Sequence, residues 1–394
     1  MNKKFILLGA FATLISTGNA QTGSINEVIR SIEQNNSELR ATGQSIQSQK
    51  LTTRTDNNLP DPTINYSYLF GSPQEIGKTG ELTLTQGFDF PTLYADRSRY
   101  NKLKAGSFDR RYEVIRRNIL LNAKDLCLDL VMLRHQKFLL AERLANAQEL
   151  SAIYEKRLAT GDANILETNK IKLELQAVAA EHATNESAIH TALQSLQAMN
   201  GGKPIDFTQA DYTPMVLPAD YEQLRNQLLT SDPELQALES EKQAAQKQIT
   251  VNKGGWLPKL EVGYRRNTGL GEQFNGFIVG GSLPLFSNRH KVKIARAQSL
   301  TTNLQQESSK QQADTRLTSL YAEANQLQRS ISTYDVSLMR STLELLKQAL
   351  NARQISMIEY FAEITVIYQS QSALMQLQNR YQKVMAQLFR DFAI

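Results

Sequence analysis

The sequence predicts a mainly α-helical protein with a small β part, in which one structural unit is used twice. Three observations carry that prediction. Apolar residues recur at heptad spacing through long polar stretches, as in Leu317, Ala324, Ile331, Leu338 and Leu345, with Leu320, Leu327 and Tyr334 three positions after the first three. Short segments such as "ELTLTQGFDFP" put Leu82, Leu84, Phe88 and Phe90 on one side of an extended chain, and Glu81, Thr83, Thr85 and Asp89 on the other. Several stretches of the first half also return in the second half in the same order.

The first element is "MNKKFILLGAFATLISTGNA", residues 1–20. It joins Lys3 and Lys4 to an apolar run from Phe5 to Ile15 and to small residues Gly18 and Ala20, the make-up of a secretory signal peptide cut after Ala20. The run is too short to span a bilayer. Beyond it, "NSELRATGQSIQSQKL" is echoed by "DPELQALESEKQAAQKQI", and "LPDPTINYSY" by "GGWLPKLEVGY". "FDFPTLYADRSR" is echoed by "GSLPLFSNRHK", and "YEKRLATGDANILE" by "LKQALNARQISMIE". The repeats are residues 21–205 and 206–394, joined through the Gly- and Pro-containing stretch Asn200–Pro218. Each is expected to run helix, strand, strand, long helix, short break, helix.

Strands are expected at Thr63–Phe70, Glu81–Phe90, Leu260–Tyr264 and Phe274–Leu285. Such two-faced segments fit a membrane β-barrel strand, and equally a half-buried strand of a soluble sheet. The helices shift the balance. Phe108, Tyr112, Ile115, Ile119, Leu126, Leu130 and Leu133 mark one helix from about Pro91 to Leu158. It would be on the order of 100 Å long at 1.5 Å per residue, and no compact core needs that. Four strands alone leave open edges, which hydrocarbon does not tolerate. Membrane strands therefore require several chains to share one closed barrel, each strand passing its chain to a long helix that continues the wall.

Composition excludes other classes. The formal charge is +5 over 394 residues, and an exported chain does not normally meet nucleic acid, so Arg110–Arg111 and Arg116–Arg117 read as a solvated helix face. The single cysteine, Cys127, can form no internal disulfide and is expected to pack. No run of eighteen apolar residues follows the signal. There is no nucleophile elbow, His–Glu metal motif or Gly-rich phosphate loop, so no enzyme, catalytic residue or cofactor is expected. His135, His182, His190 and His290 lack ligand spacing, so no metal centre is expected either.

With its signal peptide, duplicated unit, strand ending in Pro284, Leu285 and Phe286 before Arg289, and "YEKRLATGDANILETNKIKLELQ", the chain resembles the TolC family of outer-membrane factors. The resemblance covers essentially the whole mature chain. "FDFPTLYADRSR" and the compact loops look most like the heavy-metal branch of the CusC and CzcC type. The family implies a homotrimer in the outer membrane, extending into the periplasm. Its twelve-stranded β-barrel, four strands per chain, is continuous with a twelve-helix α-barrel of long coiled-coil helices. It also implies a periplasmic adaptor (membrane fusion) protein and an inner-membrane pump, often of the resistance–nodulation–division class, with outer-membrane lipid around the barrel and no nucleic acid. The expected function is a passive exit duct for small molecules or heavy-metal cations. Two alternatives stay open: the exit duct of a type I protein secretion system, and a soluble periplasmic coiled-coil scaffold.

Candidate sites follow from that reading. Glu167 and Glu359 lie just past the two helix–helix turns, where a ring of carboxylates in a trimer would favour cations; the alternative is a solvated glutamate on a helix face. In the family's gate Glu359 matches the first acidic position, Ala362 occupies the second, and Glu363 stands next to it. The hairpin tips, Gly161 with Asp162 and Arg353 with Gln354, are where the family docks its adaptor; Arg353 replaces the usual glycine. Tyr66, Tyr68, Trp256 and Tyr264 are expected as membrane-interface aromatics, with ordinary core aromatics as the alternative.

Overall fold

The computed structural model describes residues 23–269 and 271–390, without the side chain of Gln74. The signal peptide expected at residues 1–20 lies outside them. The helices are α1 (Ile25–Asn35), α2 (Ser37–Thr55), α3 (Pro91–Ala159), α4 (Ile165–Met199), α5 (Tyr221–Ser231), α6 (Pro233–Gly254), α7 (Lys291–Ser332), α8 (Val336–Asn351) and α9 (Met357–Leu388). The strands are β1 (Thr63–Phe70), β2 (Lys78–Phe88), β3 (Lys259–Gly269) and β4 (Glu272–Ser282). The order α1–α2–β1–β2 recurs as α5–α6–β3–β4, with an extra helix boundary before the strands that the sequence reading had not drawn.

That boundary has a local cause in each half. Asn36 is extended and its side chain accepts from the Leu39 N–H, starting α2; Asp232 does the same for Glu234 and Leu235 at the start of α6. Asp232 is buried and also takes Arg316 at 3.1 Å and Arg390 at 3.4 Å. The long α3, 69 residues, runs unbroken for roughly 100 Å. Its counterpart is interrupted: α7 stops at Ser332, and Asp335 accepts from the Leu338 N–H at 3.0 Å to start α8. This corrects the heptad reading. Leu317, Leu320 and Ala324 are buried, whereas beyond the break Leu338 and Leu345 are 61% and 63% exposed. The side chain of Asp335 captures backbone donors that a continuous helix would use, and the break resets the phase of the stripe.

Three apolar clusters hold the helical body. One joins Ile25, Val28, Ile29 and Ile32 of α1 to Leu120, Cys127, Leu130 and Val131 of α3 and Leu196 of α4. A second joins Leu224 and Leu228 of α5 to Leu317 and Ala324 of α7 and Met385 and Leu388 of α9. The third ties both tips together through Leu150, Tyr154, Ile171, Leu350, Tyr360 and Ile364. Cys127 packs as expected, and burial pushes its thiol up to about 12.

All four strands form one antiparallel sheet in chain order, β1-β2-β3-β4. The halves meet inside it, since β2 pairs with β3. Three strands differ from those expected at both ends, with β2, β3 and β4 beginning earlier, at Lys78, Lys259 and Glu272. β2 ends at Phe88, because the Asp89 N–H bonds the Tyr94 hydroxyl at 3.0 Å and its carboxylate holds Arg97 at 2.7 Å. β3 continues through Arg265, Arg266, Asn267 and Thr268, paired on both sides despite its polarity. β4 ends at Ser282, before Pro284, which has no N–H for a ladder.

Candidate functional site

The sheet has two chemically distinct faces, set by the period-2 alternation of its strands. One row crosses all four strands as Ile64, Leu84, Tyr264 and Phe277; the next row runs Tyr66, Leu82, Arg266 and Asn275, so two polar residues interrupt it, and Val262 and Val279 lie on the other side. Every one of these side chains is exposed, Phe277 by 90% and Val279 by 85%. The opposite face carries Asn65, Thr83, Arg265 and Gly276 in one row and Ser67, Glu81, Asn267 and the exposed Phe274 in the next. There Arg265 pairs with Glu81 at 2.6 Å. Among the described residues no helix packs on either face, and the outer edges of β1 and β4 have no partner strand.

Length is consistent with the pattern. An 11-residue strand spans roughly 36 Å. Tilted by about 40° it would rise some 28 Å, close to the apolar band of about 25 Å of a membrane barrel. No helix among the described residues is long and apolar enough to cross a membrane, which leaves strands unaddressed.

The four aromatic candidates occupy different levels. Tyr66 and Tyr68 lie toward the hairpin-turn end of β1, opposite Leu82 and Gly80. Tyr264 is in the middle of the ladder, its hydroxyl donating to Asn275 at 2.8 Å. Trp256 follows α6 at the root of the sheet and is half-exposed.

At the far end, the two helix–helix tips are built alike. After α3, Gly161 adopts φ 80°, its N–H bonds the Leu158 carbonyl at 3.2 Å, and the Asp162 N–H bonds the Arg157 carbonyl at 2.7 Å. After α8, Arg353 adopts φ 58°, its N–H bonds the Leu350 carbonyl at 3.1 Å, and the Gln354 N–H bonds the Ala349 carbonyl at 2.9 Å. This is the left-handed helix ending that glycine fits without strain. The glycine-to-arginine difference leaves the turn's shape unchanged and puts an exposed cation on the second tip.

The two glutamates just past the tips also have a local role. Glu167 and Asn164 form a reciprocal capping box on α4, and Glu359 and Ser356 form one on α9. The Ser356 backbone N–H reaches the Glu359 carboxylate at 2.7 Å. That bond, with the Ser356 hydroxyl, holds the Glu359 carboxyl below the ordinary glutamate range. Glu363 lies one helical turn beyond Glu359 and both are exposed, giving α9 two carboxylates on one open face. Behind them Tyr360 is buried and its hydroxyl accepts from the Asn146 side-chain amide at 3.1 Å, so α9 is fixed against α3 where the glutamates emerge.

The sequence reading missed the Arg265–Glu81 pair, because it ended β3 at Tyr264. It also missed a polar tie between α3 and α9 in mid-body, where Asp129 takes Lys383 and the Asn379 side-chain amide, both at 2.7 Å. No group of three or more potential metal ligands occurs among the described residues.

Residues 224–390 match the family model for outer membrane efflux proteins. A search of curated protein sequences finds no match. Solved structures match over nearly the full length. CusC, whose crystal structures concern folding and transmembrane channel formation, gives a TM-score of 0.78 at 17% identity, covering 94% of this chain and 92% of that one. The outer membrane protein VceC of Vibrio cholerae gives 0.75 at 16%, covering 93% and 95%. The open state of the MtrE outer membrane channel of Neisseria gonorrhoeae gives 0.70 at 14%, covering 94% and 88%. The chain thus has the TolC-like fold of outer-membrane channel proteins, and its second half carries the match to the outer membrane efflux protein family.

Proposed function

We propose that this chain is one third of a passive exit duct in the outer membrane. Three copies would close their four-stranded sheets into a twelve-stranded barrel and their helices into a periplasmic tube of twelve. The carrying observation is the uncovered apolar face of the sheet beside two unpaired edges: burying that face in lipid and joining β4 of one copy to β1 of the next satisfies both at once. The polar face, with Arg265, Glu81 and Thr83, then lines water. Exposed Leu338 and Leu345, seven apart on α8, and Leu166 and Leu173, seven apart on α4, supply heptad seams for neighbouring copies.

In this reading the duct receives its cargo from an inner-membrane pump through a periplasmic adaptor that docks at the tips around Gly161, Asp162, Arg353 and Gln354. The two halves of the chain are copies of one unit, residues 21–205 and 206–394. The cargo class is small molecules or heavy-metal cations, and the exposed carboxylates Glu359 and Glu363, repeated threefold, support a cation preference at the mouth. The test is purification from outer membranes followed by planar-bilayer recording. A trimeric preparation should conduct with cation preference, and Glu359→Gln combined with Glu363→Gln should reduce it. A trimer that never conducts, with or without these substitutions, overturns the duct.

A further inference from the structure

Where the sheet meets the helices, the chain concentrates positive charge against exposed apolar surface. Between Arg289 and Arg296 stand Arg289, His290, Lys291, Lys293 and Arg296 with no carboxylate, and the next acid along α7 is Glu307. All four Lys and Arg side chains are exposed, and none makes an ion pair among the described residues. Just before them Leu283, Leu285 and Phe286 are exposed, Phe286 by 84%. The end of α6 is tied to the same place: the Asn252 side chain donates to the Lys291 carbonyl at 3.0 Å, and the Asn288 side chain packs against Gly255. Exposed Lys253, Trp256 and Lys259 therefore border the same surface.

The first half repeats the basic spacing, although there Arg97 is paired with Asp89. With β2 laid on β4 end to end, Arg97, Arg99 and Lys102 fall on Lys291, Lys293 and Arg296. Nearby acids are engaged: Asp89 by Arg97 at 2.7 Å and Lys259 at 3.8 Å, and Asp96 by Lys247 at 2.6 Å. Among the described helices only α3 and α7, the two that leave the sheet, begin with neither a side-chain cap nor an acid in the first turn. In α7, Arg289, Lys291 and Lys293 lie at the positive end of the helix dipole, where they are unfavourable on their own. An anion placed there would relieve that cost.

We propose that this collar binds the phosphate groups of anionic phospholipids in the leaflet that faces the helical body. The inference rests on the outer-membrane reading above. The collar adjoins the apolar belt, so acyl chains would lie along Leu283, Leu285 and Phe286 while the headgroup phosphate meets Arg289, Lys291 and Lys293. Clustered basic residues beside a membrane segment attract anionic lipid in this way, and the attraction weakens as salt screens it. A lipid phosphate is favoured over a free anion because the cations border exposed aliphatic and aromatic side chains.

Trp256 is the chain's single tryptophan, and it reports on this spot. The full-length protein is reconstituted in phosphatidylcholine vesicles containing either brominated phosphatidylglycerol or brominated phosphatidylcholine, and quenching of Trp256 gives relative lipid affinity. We expect phosphatidylglycerol to be preferred at low salt, with the preference falling at 0.5 M salt. It should drop about a hundred-fold or more in R289E/K291E/K293E. Equal quenching by both lipids in the wild-type protein overturns the proposal, whether or not the variant folds. So does loss of the preference to inorganic phosphate at an ionic strength that sodium chloride matches without effect, which would mark a free-anion site. A variant that keeps the lipid preference but changes ion selectivity would place the cations in the lumen and also overturn it. Conductance measured on the same vesicles separates the two readings: a conducting trimer without lipid preference removes the collar alone, and a non-conducting protein removes the duct.

Discussion

Swapping the residues at the two tips tests the local reading of the turns. Gly161 and Arg353 occupy the same left-handed position with the same two backbone hydrogen bonds, at φ 80° and 58°. A residue with a side chain pays about 1–2 kcal/mol there. Glycine avoids that penalty but gives up roughly 0.5–1 kcal/mol more chain entropy on folding. The difference favours glycine by about 1 kcal/mol, or about five-fold in the equilibrium for opening the tip. A methyl group at Gly161 would meet no atom within 4 Å, so Gly161→Ala reports backbone strain without a clash. Hydrogen exchange on the assembled protein in detergent reads both sites. Arg353→Gly should slow exchange at Gln354 about five-fold, and Gly161→Ala should speed exchange at Asp162 by a similar factor. Changes of the same sign at both tips, or none, would refute the argument.

Other consequences can be checked in parallel. The Glu359 carboxyl is lowered in the folded chain relative to its ordinary 4.5, so its cap contributes fully above that value and is lost as pH falls through the lower folded value. Exchange at the start of α9 should accelerate over that acidic range, with Glu359→Ala showing no such pH effect. Phe277→Arg puts a charge on the belt and should destabilise the membrane-inserted form by about 2–4 kcal/mol if it lies near mid-bilayer. Thr83→Arg on the opposite face should be tolerated, and equal costs in urea titrations would contradict the assignment of faces. Asp232→Ala removes a buried cap and leaves Arg316 and Arg390 without that carboxylate, which should cost about 3 kcal/mol in thermal or urea unfolding.

Much of this architecture could be read from the sequence because its signals are local. The bounds of β1 and the length of α3 follow from alternation and from the lack of a proline between Thr92 and Ala159. What could not be read depended on partners distant in sequence. The outer half of β3 is too polar to stand out, and its strand character comes from ladders to β2 and β4. Leu338 and Leu345 keep the heptad period, yet one Asp335 cap rotates them out of the intrachain seam. Glu167 and Glu359 were legible as a matched pair, and Asn164 and Ser356 three residues before them carry a capping-box spacing that the sequence reading did not use. The Asp129–Lys383 tie joins residues far apart in the chain, and no spacing rule points to it.

The central claim is that one face of the four-stranded sheet meets lipid while the other meets water. Nitroxide labels placed singly along β4 and β2 of the reconstituted protein test it directly, by comparing collision with oxygen, which partitions into lipid, against a polar nickel complex. Labels at 277 and 279 should favour oxygen, and labels at 81 and 83 the nickel complex. Uniform exposure to the nickel complex along both strands would contradict the account.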